Sequence, residues 1–145
     1  MEHNDLIIDQ DDAALLDQCL SRFIDDTGVR VAMLMGRDGH LVARQGNSKD
    51  INLESFCALS VGAFASSEAL ARMAGEESFN SIFHQGVVCN VYIAMVGDSH
   101  LLLVLFDYNA SAPLVRLQTR VTSEAMINVL DRAYTRTRAA RIPGF

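Results

Sequence analysis

The chain has 145 residues, half of them hydrophobic, and a formal net charge of −6. This length predicts one domain, and no apolar run approaches the roughly 20 residues that a membrane-spanning helix needs. Because the acidic start of the chain lacks the positive region of a secretory signal, we expect a cytoplasmic protein without membrane insertion.

Charge is distributed unevenly along the chain. Residues 1–28 carry eight acidic residues and one basic residue, whereas residues 113–145 carry six arginines and two acidic residues. Lys49 is the single lysine, and a chain with so little basic character is not expected to bind nucleic acid. Two interpretations of the basic end stay open: it packs against the acidic first helix, or it contacts an acidic partner.

The first predicted helix runs from Asp11 to Thr27. Asp11 and Asp12 can cap its start, and Gly28 ends it. Residues 1–10 form an acidic leader that we expect to be flexible. One apolar stripe should face the core, namely Leu15, Leu16, Cys19, Leu20, Phe23 and Ile24.

A β-hairpin is predicted over residues 29–46. Its turn centres on Arg37-Asp38-Gly39-His40, and an Asp-Gly pair predicts a turn with positive φ at both central residues. The Gly46-Asn47-Ser48 segment then marks a reversal of the chain.

The second predicted helix begins after Asn52, reaches about Ala74 and ends at Gly75. It is unusually rich in small residues and has two adjacent apolar or small stripes, which is typical of a helix that packs on two surfaces. One surface is the sheet. The other is either a second copy of the same helix, which the small side chains would allow to approach closely, or the interior of the same monomer.

Three strands follow, at about residues 79–85, 90–96 and 100–107. The first mixes polar and apolar residues, as an edge strand does, and the last is apolar on both faces, as a central strand is. Pro113 can open the last helix, and residues 141–145 should be a frayed tail. The predicted inner face of that helix is Leu114, Leu117, Val121, Ile127, Leu130 and Tyr134.

No catalytic signature is present. The chain lacks a phosphate-binding G-x-x-x-x-G-K-[ST] loop, a dinucleotide-binding G-x-G-x-x-G motif and a G-x-S-x-G nucleophile elbow. Its four histidines and three cysteines lack the spacing of a metal site. We therefore predict no enzyme activity, no catalytic residue, no cofactor and no metal.

The order of elements, together with three segments, resembles the roadblock/LC7 family and, within it, the bacterial MglB-like branch. The segments are GVRVAMLMGRDGHLVARQG, LSVGAFASSEALARMAGEESFNSIFHQG and VYIAMVGDSHLLLVLFD. The resemblance covers about residues 12–138, and residues 11–140 are taken as the domain. It implies an α+β fold of order αββαβββα, in which a five-stranded antiparallel sheet lies between the middle helix and the first and last helices.

The resemblance also implies a two-fold homodimer, in which the middle helices pack together and the strand after them pairs edge to edge. The predicted interface residues are Leu59, Gly62, Ala63, Ser66, Leu70, Phe79, Ser81 and Phe83.

Similar family members bind small Ras-like GTPases, such as the MglA-like ones, and modulate their nucleotide cycle without a nucleotide site of their own. We expect partner contacts at Glu54, Glu68 and Arg72, with Arg136 as a second candidate. Two alternatives stay open: a ligand-sensing domain with a pocket between sheet and helices, and a pure assembly subunit of a motor or polarity complex.

Overall fold

The structure, a computed structural model, describes residues 6–140, so the predicted frayed tail and the first half of the predicted flexible leader lie outside the described residues. Its elements have the order αββαβββα, which confirms the predicted order. They are α1 (Gln10–Thr27), β1 (Val31–Gly36), β2 (Leu41–Gly46), α2 (Leu53–Met73), β3 (Ser81–His84), β4 (Asn90–Val96), β5 (His100–Phe106) and α3 (Ala112–Ala140).

All five strands form one antiparallel sheet with the order β2-β1-β5-β4-β3. β5 is the central strand and is buried over its whole length, as its continuous apolar sequence predicts. β3 is an edge strand, also as predicted, but it is shorter than residues 79–85. Phe79 precedes the strand because its ring packs against Phe64, with 5.2 Å between the ring centroids.

Helices cover both faces of the sheet, and the predicted α+β fold is confirmed. On one face, α1 and α3 bury Leu16, Leu20 and Met126 against Leu102 and Val104. On the other face, α2 packs Cys57 and Phe64 against Met33 and Leu103. The two apolar layers alternate along each strand, because successive side chains of a strand point to opposite faces.

The start of α1 differs from the prediction, because Asp9 and not Asp11 or Asp12 is the N-cap. Asp9 Oδ1 accepts a hydrogen bond from Asp12 N at 2.8 Å, and Asp12 Oδ2 accepts one from Asp9 N at 3.3 Å. This reciprocal pair is a capping box, in which the acidic residue three positions into the helix reaches back to the cap. Leu6 and Ile8, within the predicted leader, pack against the core.

The hairpin turn contains one residue with positive φ, whereas the Asp-Gly pair predicts two. Gly39 has a φ of 91°, but no residue other than glycine has positive φ in the described chain, so positive φ at Asp38 is wrong. Gly39 N donates to Gly36 O at 2.9 Å, and Asp38 Oδ1 accepts from His40 N at 3.0 Å. The geometry is that of a longer hairpin loop closed by one left-handed glycine.

The predicted inner face of α3 is wrong over its first half. Leu114, Leu117 and Val121 are 36%, 54% and 56% exposed, whereas Leu130 is buried. Smaller residues, many of them with hydroxyl groups, occupy the inner face instead: Val115, Thr119, Thr122, Ser123, Met126, Val129, Leu130, Ala133 and Thr137. Over the first half of the helix the inward side chains are small, whereas Met126 and Leu130 fill the inner face further along.

Candidate functional site

The outer face of α2 is apolar and open to solvent. Only Cys57, Ser60 and Phe64 among its 21 residues are buried. Leu59 is 74% exposed and Leu70 is 69% exposed. The predicted interface residues of this helix form one exposed stripe at spacings of three and four residues, Leu59, Gly62, Ala63, Ser66 and Leu70. The alternative that α2 is buried within the monomer is therefore wrong.

The free edge of β3 offers backbone groups beside this stripe. Asn80 O accepts a hydrogen bond from Met95 N at 2.9 Å. Because bonding alternates along an antiparallel strand, the N–H and C=O groups of Ser81 and Phe83 point away from β4, towards the open edge. An unpaired edge of this kind can add a further strand.

Two of the predicted interface residues place their rings in the core of their own chain. Phe79 packs against Phe64 on the α2 side of the sheet, whereas Phe83 stacks on Phe106 on the opposite side, with 6.1 Å between centroids. At the β3 edge, the backbone is therefore more available to a second chain than these two rings are.

Three exposed apolar residues near this surface were not predicted as interface residues. Met73 is 86% exposed at the end of α2, and Val87 and Val88 are 92% and 79% exposed between β3 and β4. The sequence gives a weak indication of the two valines. They follow Gly86 in the turn between two strands, where an apolar pair cannot join either apolar layer of the sheet.

A charged flank runs along one side of α2. Glu68 pairs with Arg37 at 2.5 Å and with Arg72 at 3.5 Å, and the guanidinium of Arg37 lies 5.4 Å from the centre of the Phe64 ring. The Arg72 side chain is 68% exposed, while that of Glu68 is only 16% exposed. The structure therefore groups Glu68 with Arg72, on the flank that also carries exposed Glu54, and leaves Arg72 as the accessible cation.

Arg136 lies elsewhere, on the face of the sheet opposite α2. Its guanidinium bonds the Asp12 carboxylate, lies 3.2 Å from Asp9 Oδ2 and donates to Ile7 O at 2.8 Å. Burial alone would raise the pKa of Asp12, but the bonds from Arg136 and Asp9 N outweigh burial and lower it. The basic end of the chain thus packs against the acidic first helix at this position, and partner binding by Arg136 stays a prediction.

The described residues hold no group of three or more His, Cys, Asp or Glu side chains placed to bind a metal ion. Cys19, Cys57 and Cys89 are free thiols, and burial raises the pKa of Cys57. Within residues 6–140, no helix combines the length and the apolar character needed to cross a lipid bilayer.

An exposed apolar helix stripe beside an open strand edge is typical of surfaces that associate with other proteins. The family profile of the Roadblock/LC7 domain matches residues 15–106. The chain belongs to the Roadblock/LC7 family. A comparison with curated proteins finds no match.

Solved structures of MglB proteins are similar to this Roadblock/LC7 chain over most of its length. An MglB in a tetrameric arrangement is 27% identical with a TM-score of 0.83, covering 88% of this chain and 96% of its own. The gliding protein MglB of Thermus thermophilus is 28% identical with a TM-score of 0.82, covering 88% and 96%. The MglB of Myxococcus xanthus is 28% identical with a TM-score of 0.76, covering 81% and 95%.

Proposed function

We propose that the chain is a non-enzymatic homodimeric adaptor that binds a small Ras-like GTPase and modulates its nucleotide cycle. The observation that carries the proposal is the exposed apolar stripe of α2 beside the open β3 edge, in a chain whose fold matches MglB structures over 88% of its length. An apolar surface of this kind on a folded chain marks a site of association.

The proposed homodimer rests on a two-fold arrangement in which each copy contributes the same surface. A two-fold axis beside α2 places the stripe of one copy against the same stripe of the other, and Gly62, Ala63 and Ser66 allow close approach of the backbones. The same axis brings two β3 edges together, so that the outward groups of Ser81 and Phe83 find partners. One self-complementary surface then buries the leucines and satisfies the strand edge.

The proposed GTPase contact rests on the charged flank of α2, which the dimer would leave exposed. The charged flank of α2 lies to the side of the stripe, and Arg72 is held by Glu68 with its guanidinium accessible. An adaptor changes hydrolysis without supplying a catalytic group when it binds the reactive arrangement of the GTPase switch segments more tightly than the other arrangements. The described residues suit this role because they provide an ordered surface of fixed charge.

Binding is tested with the purified chain and the small Ras-like GTPases of the same cell, each loaded with GDP or with a non-hydrolysable GTP analogue. We expect tighter binding to one nucleotide state, measured by calorimetry. Arg72→Glu should weaken that complex about tenfold, a loss usual for a charged contact at an interface. Arg120→Glu, a charge reversal at an exposed position on α3, is the matched control and should leave affinity unchanged.

A complex of equal affinity in both nucleotide states, or none with any GTPase of the cell, would refute the regulatory role. GTP hydrolysis and nucleotide release, each measured with and without the chain, separate regulation from the alternative of a pure assembly subunit. A nucleotide-dependent complex in which both rates are unchanged supports the assembly subunit instead.

A further inference from the structure

Three clefts meet at one histidine, at the end of the sheet where the β1–β2 and β4–β5 turns lie side by side. Arg37 N in the first turn donates to Ser99 O in the second at 3.0 Å. His100 lines all three clefts. The cleft between the two turns and α3 has a volume of about 350 Å³ and is called the His100 cleft here; its lining residues are Gly36, Arg37, Asp38, Asp98, Ser99, His100 and Tyr134.

The His100 side chain faces this cleft without a protein partner. The residue is only 5% exposed, its imidazole makes no hydrogen bond within residues 6–140, and it lines the cleft. Its one aromatic contact is edge-on with Tyr134, with 6.3 Å between ring centroids. A buried polar group that borders open space is usually satisfied by what enters that space.

Two carboxylates border the same cleft, and no ion pair in the described residues neutralises either one. Asp38 uses Oδ1 to accept from His40 N, which leaves Oδ2 available, and Asp98 lies in the facing turn. Burial lowers the pKa of His100 and outweighs the opposing effect of Asp38, so the imidazole is neutral at neutral pH and can accept a hydrogen bond. The cleft therefore presents acceptors, two negative charges and an aromatic wall.

This chemistry selects a cation that is planar and donates several hydrogen bonds. A guanidinium group meets both conditions, since it bonds carboxylates and stacks on aromatic rings. A metal ion suits the cleft less, because the described residues place no set of three ligands there.

The arginines of the chain leave the cleft available. Arg37 is turned towards α2, where its guanidinium bonds Glu68 at 2.5 Å. Arg138 lines the neighbouring cleft, together with Asp98 and Asp131, and not the His100 cleft itself.

We propose that the His100 cleft receives an arginine side chain of a protein partner. The cleft lies at the turn end of the sheet and shares no lining residue with the α2 stripe, so the inference does not depend on the proposed GTPase. The titratable and charged groups that line the three clefts around His100 come from the β1–β2 turn, the β4–β5 turn and α3; they are Arg37, Asp38, His40, Asp98, Asp131, Tyr134 and Arg138.

The test follows the imidazole resonances of His100 by NMR in the full chain. The probe is a blocked Gly-Arg-Gly peptide, and the matched control is the same peptide with citrulline, which keeps the shape and loses the charge. We expect a saturable shift with the arginine peptide only, weakening as the pH is lowered because a protonated His100 repels the guanidinium. Equal shifts with the two peptides, or a shift that never saturates, would overturn the proposal.

Variants and a free cation complete the test. Asp98→Asn should weaken peptide binding about fivefold, and Asp38→Asn should do the same while its amide oxygen still accepts from His40 N. Asp17→Asn, at an exposed position on α1, should change nothing. If propylguanidine, a small guanidinium compound with the same single positive charge, binds more tightly than the blocked peptide, the site serves a small molecule, which overturns the assignment to a protein partner.

Discussion

The variant Leu59→Glu should dissociate the proposed homodimer. Leu59 stands at the start of the exposed α2 stripe and is 74% exposed in the single chain, so most of its side chain is available for burial against a second copy. Burying a whole leucine side chain is worth about 1.5–3 kcal/mol, which gives about 1–2 kcal/mol for the exposed part. Each copy of the proposed dimer contributes one Leu59 to the interface, so the loss of binding free energy is about 2–4 kcal/mol per dimer.

A loss of that size weakens the dimer about 30-fold to 1,000-fold, because each 1.4 kcal/mol is a factor of ten. Two glutamates near the axis add repulsion and desolvation to this loss. The dissociation constant is measured by sedimentation velocity over a range of concentrations. Circular dichroism should show unchanged folding, since an exposed residue contributes little to the core of the single chain.

The matched control is Ala65→Glu, which adds the same charge to an exposed position of α2 outside the stripe. It should leave the dissociation constant within about twofold, as is usual for surface substitutions. If Leu59→Glu leaves the dimer intact, or if Ala65→Glu weakens it equally, the stripe is not the interface and the two-fold arrangement is wrong.

Three further predictions concern the single chain. Phe64→Ala, at a residue 1% exposed, should lower the free energy of unfolding in urea by about 3–5 kcal/mol, and a loss under about 1 kcal/mol would contradict the packing of α2 on the sheet. Asp9→Ala should cost about 1 kcal/mol in the same measurement while Asp9→Asn, which keeps the cap, costs less; equal losses would argue against the capping box. Because burial lowers the pKa of His100, stability should be fully present above about pH 6.5 and fall as the pH drops through the folded-state pKa. His100→Gln should flatten the dependence of stability on pH below about pH 6.5, and an unchanged slope would refute this origin.

The fold is predictable because its strongest patterns are local. The apolar run of β5 requires cover on both faces, and Asn52 and Gly75 mark the ends of α2 in the sequence. The start of α1 is off by two residues because three neighbouring aspartates can each cap a helix, and only the reciprocal bond to Asp12 selects Asp9.

The burial of α3 is harder to predict for a different reason. Leucine is a poor guide there, since Leu114 and Leu117 face outward while Thr119 and Thr122 face inward. The Thr137 hydroxyl is satisfied within the helix by donating to Ala133 O at 2.7 Å, whereas Thr119 Oγ1 has no hydrogen-bond partner among the described residues, so small volume is the property that the inward positions share. Hydrophobic periodicity alone therefore cannot separate the inner face from an exposed apolar stripe.

The α2 stripe could be predicted from the sequence and the His100 cleft could not, because their residues are spaced differently along the chain. The α2 stripe is continuous in sequence, so its spacing reveals it. The cleft gathers Asp38 from one turn, Asp98 and His100 from another and Tyr134 from α3, and each residue alone is typical of a turn or a helix surface. The pairing of β1 with β5 brings the two turns together, and the packing of α3 adds Tyr134.

The proposed dimer would link association to the stability of α2. Cys57, Ser60 and Phe64 are buried, and Leu53, Phe56 and Val61 pack partly buried against the same core. In the proposed dimer, the exposed apolar stripe gains cover from the second copy. Association that buries the stripe therefore stabilises α2 as well as the dimer, by mass action. Amide exchange in α2 should slow as protein concentration rises, while exchange in β5 should not, because β5 is buried within the single chain.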